Sequence, residues 1–261
     1  MTLRLDAAQG GYGGRPVLEG IDLALGAGEV VALCGPNGCG KSTALRALRG
    51  ALPLTAGAAM LGDRKVTEIG AKALAREVAM LGQTPVPPEE IVVRDLVALG
   101  RYAHRRAFAP LAAADHEAID RALHRTGAWS IADRPVADLS GGQLQRSWIA
   151  MTVAQDAPHL LLDEPTNHLD MGHALVVMDL IRRLAREDGR AVAVVLHDLN
   201  LAARHADRIV LMANGQVQAD GAPREVLSEQ RLALVYDTVC AVLDHPKGGP
   251  LIVPLGSQRT L

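Results

Sequence analysis

Five consecutive apolar residues, VVALC at 30–34, run directly into Gly35-Pro36-Asn37-Gly38-Cys39-Gly40-Lys41-Ser42-Thr43, and helical periodicity follows from Ser42 to Arg49. An uninterrupted apolar strand reads as one buried on both faces, as in a parallel sheet covered by helices. This stretch therefore commits the chain to a layered α/β architecture in which strand, glycine loop and helix succeed one another. The loop fits G-x-x-x-x-G-K-[ST] in the context that pattern requires. Small residues let the backbone wrap an anion, its N–H groups point inward, and the helix dipole adds positive potential where phosphates would lie. Lys41 is expected to reach the β and γ phosphates and the Ser42 hydroxyl to coordinate Mg²⁺. A glycine-rich turn with an incidental lysine is the plainer reading, and the correct flanking elements weigh against it.

Further strands follow the same logic. HLLLD at 159–163 and AVAVVL at 191–196 read as buried strands, with helical MGHALVVMDLIRRLARE between them, which implies a right-handed crossover. TLRLDA near the start and IDLAL at 21–25 alternate instead, as in a peripheral antiparallel sheet with one wet face. DRIVLMANGQVQADG at 207–221 predicts a hairpin around Asn-Gly, and PKGGPLIVPLGSQRTL predicts a loop, a short strand and a frayed end. Between Gln83 and Pro158, after the proline-rich TPVPPEE, helical periodicity with charged faces suggests an inserted helical subdomain. Asp163 closes its strand and Glu164 follows at once. A carboxylate at a strand's end can hold Mg²⁺ through water, while the next, turned toward a γ-phosphate, can polarise an attacking water. A lone DE pair would be read as solvated, but an upstream phosphate loop favours the functional reading.

Composition removes other classes. The chain of 261 residues has 2 Trp, 3 Tyr and 1 Phe, and 27 Lys+Arg stand against 29 Asp+Glu. So few rings and no basic excess disfavour nucleic-acid binding. The apolar runs fall far short of the ~20 residues of a spanning helix, and MTLRLDAAQG lacks the apolar stretch of a secretory signal. Cys34, Cys39 and Cys240 make no paired framework, which suits a reducing compartment.

Leu139-Ser140-Gly141-Gly142-Gln143-Leu144-Gln145-Arg146 stands between the phosphate loop and the DEP strand. Alone, LSGGQ could be a serine cap followed by two glycines. In this order and spacing the chain resembles the ABC-type ATPases over nearly its whole length. That resemblance implies an α/β fold: a P-loop NTPase (RecA-like) core with an N-terminal antiparallel β subdomain and an inserted α-helical signature subdomain. Residues 1–261 would form a single ATPase domain, with 1–82 and 158–261 as core plus β subdomain and 83–157 as the helical subdomain. The resemblance implies that Tyr12 stacks on adenine, Gln83 links Mg²⁺ and the water site to a transmembrane partner, His197 contacts the γ-phosphate, and Asp170 is the D-loop aspartate. Ser42, Gln83 and, through water, Asp163 would serve the metal, with ATP and Mg²⁺ as cofactors. Ser140, Gly141, Gly142 and Gln143 would act on the nucleotide of the other subunit.

A helix N-terminus with exposed glycine amides is a second anion cradle, whereas the chain's own ATP already has the first. The spare cradle implies a head-to-tail dimer, most simply of two identical copies. VVRDLVALGRYAHRR, RSWIAMTVAQD and LHDLNLAARHADRIVLMANGQV are similar to ATPases that energise uptake of iron chelates, haem and cobalamin, with ferric siderophore the first choice. Such a subunit would sit at the cytoplasmic face of the inner membrane, bound to permease subunits and served indirectly by an external binding protein. A non-transport ABC protein acting on nucleic acid or ribosomes would carry coiled-coil, zinc or tandem modules, which the sequence lacks. A small-molecule kinase leaves LSGGQ and His197 unexplained.

Lesser features have plainer expectations. His168 and His173, flanking Asp170, suggest solvent or dimer contact rather than a metal site. The helix dipole should lower the thiol pKa of Cys39. The arginines of GRYAHRRAF at 100–108 read as a solvated helix end, and Trp148 as a fluorescent reporter beside the signature.

Overall fold

The computed structural model describes residues 1–83, 90–106, 109–246 and 248–257. Alternation at the start of the chain builds β1 (Leu3–Tyr12) and β2 (Arg15–Leu25), paired antiparallel with Leu3 opposite Leu25 and Leu5 opposite Leu23. These leucines are buried, while their neighbours face out. The register shifts between Leu5 and Ala8, where Ala7 takes φ 43°, so the strand bulges and continues to Tyr12. The apolar run then forms β3 (Val30–Cys34), followed by α1 (Lys41–Leu48), β4 (Leu54–Leu61) and the short β5 (Arg64–Lys65). Together β2-β1-β4-β5 make a four-stranded antiparallel sheet.

Next come α2 (Ala71–Glu77), β6 (Val78–Leu81), α3 (Val93–Ala98), α4 (Ala113–Arg125) and α5 (Gly141–Ala154). The core resumes with β7 (His159–Asp163), α6 (Met171–Arg186), β8 (Ala191–Val195) and α7 (Leu199–His205). After these come the hairpin β9 (Arg208–Ala213) and β10 (Gln216–Gly221), then α8 (Pro223–Val226) and α9 (Glu229–Tyr236). The chain closes with β11 (Thr238–Asp244) and β12 (Pro250–Ser257). The strand expected in the tail after its glycines is β12, and it pairs antiparallel with β11, Val242 opposite Ile252, a partner that the sequence reading does not assign; the expected frayed end, 258–261, lies outside the described residues.

Six strands form the central sheet in the order β10-β9-β3-β8-β7-β6, parallel except for β10. Every residue of β3, β7 and β8 is buried. Their side chains divide between two apolar clusters: Val30, Ala32 and Cys34 join one with α5 and α6, while Val31 and Leu33 join the other with α1 and the antiparallel sheet. Burial on both faces is what their unbroken apolar runs require. Helix α1 packs between the two sheets, touching β1, β2 and β4 on one side and β7 and β8 on the other. The fold is thus a mixed α/β cassette with an antiparallel β subdomain and helical parts. No helix among the described residues is long and apolar enough to cross a membrane.

Candidate functional site

In an open parallel sheet the crevice for ligands lies beyond the carboxyl ends of the strands. Here β3 ends in the glycine loop, β7 in Asp163 and Glu164, β8 leads to His197, and β6 leads to Gln83. These are adjacent or next-but-one strands, so four separate stretches of sequence meet in one cleft of about 670 Å³. It is lined by Asn37, Gly38, Lys41, Ser42, Thr43, Gln83, Glu164, Asn167 and His197, with Val17 and Gly40 completing the wall.

The loop starts at Gly35, whose φ of 148° and closeness to the backbone forbid a side chain. A Cβ there would stand 2.1 Å from the Met212 carbonyl oxygen. Lys41 opens α1 and is buried, and its Nζ donates to the carbonyls of Gly35 (2.8 Å) and Pro36 (2.9 Å). No carboxylate among the described residues pairs with it, so neutral carbonyls hold a buried cation at the mouth of the loop. An anion is the partner such a group favours.

Ser42 Oγ donates to Asp163 Oδ1 at 2.8 Å, a bond that ties the first turn of α1, after β3, to the end of β7. The other oxygen of that carboxylate, Oδ2, is buried without a hydrogen-bond partner in the structure. Burial raises the Asp163 pKa above the ordinary carboxylate range, with neighbouring Glu164 adding to the rise and the Ser42 hydroxyl opposing it. A hydroxyl and an unsatisfied buried carboxylate oxygen side by side are donors that a hard divalent cation takes, and the set fits Mg²⁺.

Glu164 is the hub. Its Oε1 accepts from Gln83 Nε2 at 2.7 Å and lies 2.7 Å from His197 Nε2, while Oε2 accepts from Asn167 Nδ2 at 3.0 Å. A carboxylate only accepts, so His197 presents Nε2–H to it. Gln83, Asp163, Glu164, His197 and residues 35–43 therefore converge, whereas the remaining candidates lie elsewhere. Tyr12, at the end of β1, is half exposed and its hydroxyl accepts from Arg46 Nη1 at 3.0 Å. Ser140 caps α5 through a reciprocal box, with Gln143 N to Ser140 Oγ at 3.4 Å and Ser140 N to Gln143 Oε1 at 3.1 Å. Neither these two residues nor Gly141 and Gly142 line the cleft of their own chain. Asp170 caps α6, and its Oδ1 accepts from the His173 amide at 2.8 Å.

Two expectations change. Cys39 is buried, and burial pushes its thiol above the usual range despite Lys41 Nζ only 3.8 Å from its sulfur. Desolvation outweighs the dipole. Arg101 is no solvated helix end: it is 6% exposed and donates to Asp115 Oδ1 and the Ala154 carbonyl. Asn167 and Arg46 escaped sequence reasoning. The first stands three residues after Glu164 and the second one turn beyond Ser42, but only the fold gives them partners.

The profile of the family described as ABC transporter matches residues 18–167. The ferric enterobactin transport ATP-binding protein FepC of Escherichia coli is 40% identical over 94% of this chain and 91% of its own length. The hemin import ATP-binding protein HmuV of Streptomyces coelicolor is 44% identical over 95% and 89%. Among solved structures, an inward-facing conformation of a proposed metal-chelate type ABC transporter superposes with a TM-score of 0.85 at 25% identity, covering 97% of both chains. The dimeric structure of MJ0796, a bacterial ABC transporter cassette, gives 0.73 at 27% identity over 85% of this chain and 98% of its own.

Proposed function

The chain belongs to the ABC transporter family, and we propose that it energises uptake of a ferric chelate, a ferric siderophore, through a separate membrane permease. It binds and hydrolyses ATP, as the transport ATPases of that family do. ABC ATPases work as dimers with membrane permease partners. The pair proposed here is two copies of this chain set head to tail at the cytoplasmic face of the inner membrane, supplied by an external binding protein. Residues 1–82 and 158–261 make its core and residues 83–157 carry the signature turn.

One observation carries the catalytic reading: a carboxylate fixed by Gln83, Asn167 and His197 stands beside the Ser42–Asp163 pair at the head of the phosphate loop. Lys41 and the loop amides bind the β and γ phosphates, and Tyr12, braced by Arg46, supplies the face for adenine. Ser42 and Asp163, with Gln83, would hold Mg²⁺, which when bound offsets phosphate charge. Glu164 orients a water and accepts its proton as the oxygen bonds to Pγ and the bond from Pγ to the ADP oxygen breaks, leaving ADP and phosphate. His197 is placed to move its Nε2–H from Glu164 to the γ-phosphate. Haem is the second cargo reading, favoured by the 44% identity to HmuV.

Purified Glu164→Gln is expected to bind ATP, turn over roughly 10²–10⁴-fold more slowly and accumulate as dimers. Wild type, not the variant, should restore accumulation of radiolabelled ferric siderophore in a strain lacking the chain. Full turnover by the variant overturns the base assignment. Rescue of haem uptake alone selects the second cargo.

A further inference from the structure

His173 is used by nothing above, yet its contacts are specific. It stands in the first turn of α6, three residues after the cap Asp170, and that one carboxylate holds it twice. Oδ1 accepts from the His173 amide at 2.8 Å, and Oδ2 lies 2.7 Å from ring Nδ1. Asp170 is held below the usual carboxylate range by the His173 amide and ring, so it accepts and Nδ1 carries the proton. The ring thereby turns its Cδ2–Nε2 edge toward the signature turn of the same chain.

The two signature glycines differ in what surrounds them. A Cβ on Gly141 would meet open space, whereas a Cβ on Gly142 would stand 2.5 Å from His173 Cδ2 and 3.1 Å from Nε2. Any side chain at 142 would have to displace this imidazole. Helices α5 and α6 otherwise pack mainly on different neighbours, α5 on α3, α4 and β6, and α6 on α7, β3 and β8. The His173–Gly142 contact thus joins two helices that have few other direct contacts with each other.

We propose that His173 is a positioning residue that locks the Asp170 turn and the signature turn into one unit, so that both meet the nucleotide of a second copy together. This rests on the reading that ATP joins two copies. A single ring, pinned at Nδ1 and abutting Gly142 with its far edge, fixes the spacing between the two turns. Without it each turn has to be ordered separately when the copies close, and closure then requires more nucleotide.

The test uses the full chain in the Glu164→Gln background, with light scattering to follow dimers as ATP is added. Adding His173→Ala should raise the ATP needed for half-dimerisation about tenfold. Affinity for a fluorescent ATP analogue, measured at protein concentrations too low for dimers, should stay unchanged, as should the melting temperature. His173→Gln, whose amide can still donate to Asp170, should restore most of the response. Dimerisation of His173→Ala at the parent's ATP concentration overturns the inference alone. Failure of Glu164→Gln itself to dimerise overturns the underlying reading and the inference with it.

Discussion

Glu164 takes φ 53°, a left-handed conformation that costs a non-glycine residue roughly 1–3 kcal/mol. Three side-chain contacts to its carboxylate help hold this conformation, and the turn throws that carboxylate over the end of β7. Its neighbours in sequence announced an acid at a strand's end, but not this posture, because backbone strain has no signature in residue order. Tyr12 shows the same division. The family resemblance singled it out, whereas the Arg46 hydrogen bond that fixes it depends on α1 lying over β1. Tyr12→Ala should weaken ATP binding by about 1–3 kcal/mol in calorimetric titration, while Tyr12→Phe should leave it almost unchanged. Equal indifference to both would mean that adenine is held elsewhere. His173 against Gly142 belongs with these: a D-x-x-H spacing marks a capped helix, but nothing in it names the glycine across the gap.

At the scale of elements, legibility followed burial. β3, β7 and β8 were plain because strands covered on both faces carry apolar side chains along their length, with the polar His159 and Asp163 only at the two ends of β7. The strand β12 was legible, but its pairing with β11 was not, since one proline opens β12 and another, Pro254, stands in its middle, and only the register sets Cys240 opposite it. Arg101 misled for the opposite reason, because a charged residue in a polar stretch was read as wet. Its side chain and that of Asp115 are only 7% and 9% exposed and lie 2.9 Å apart between the segment after α3 and the start of α4. Arg101→Ala would leave a buried carboxylate unpaired and should cost about 3–5 kcal/mol, read as a lower melting temperature at pH 7. Burial raises the Asp115 pKa, but the Ala112 amide and Arg101 outweigh it and hold it below the ordinary range. The pair's contribution is therefore complete above the unfolded value of ~3.9 and is lost as pH falls through the depressed folded value. Wild type and Arg101→Ala should then differ most at neutral pH and converge in strong acid, and a variant as stable as wild type at pH 7 would refute the pairing.

Across the whole molecule, the two sheets grip α1 from both sides. Thr43, Ala44, Leu45, Ala47 and Leu48 are all buried in that sandwich. Amides of α1 should exchange with deuterium only through global unfolding, while those of Gln83 and His197, both exposed, should exchange by local opening. Equal protection of the two groups would contradict this. The order of these layers was legible from the alternation of strand types, whereas the clamp itself was not, since it depends on which sheet covers which face of one helix. In mechanical terms the clamp makes the phosphate loop an anvil. A rigid seat of this kind holds its amides and the Lys41 ammonium in place before any phosphate arrives, so binding there costs little reordering of the loop.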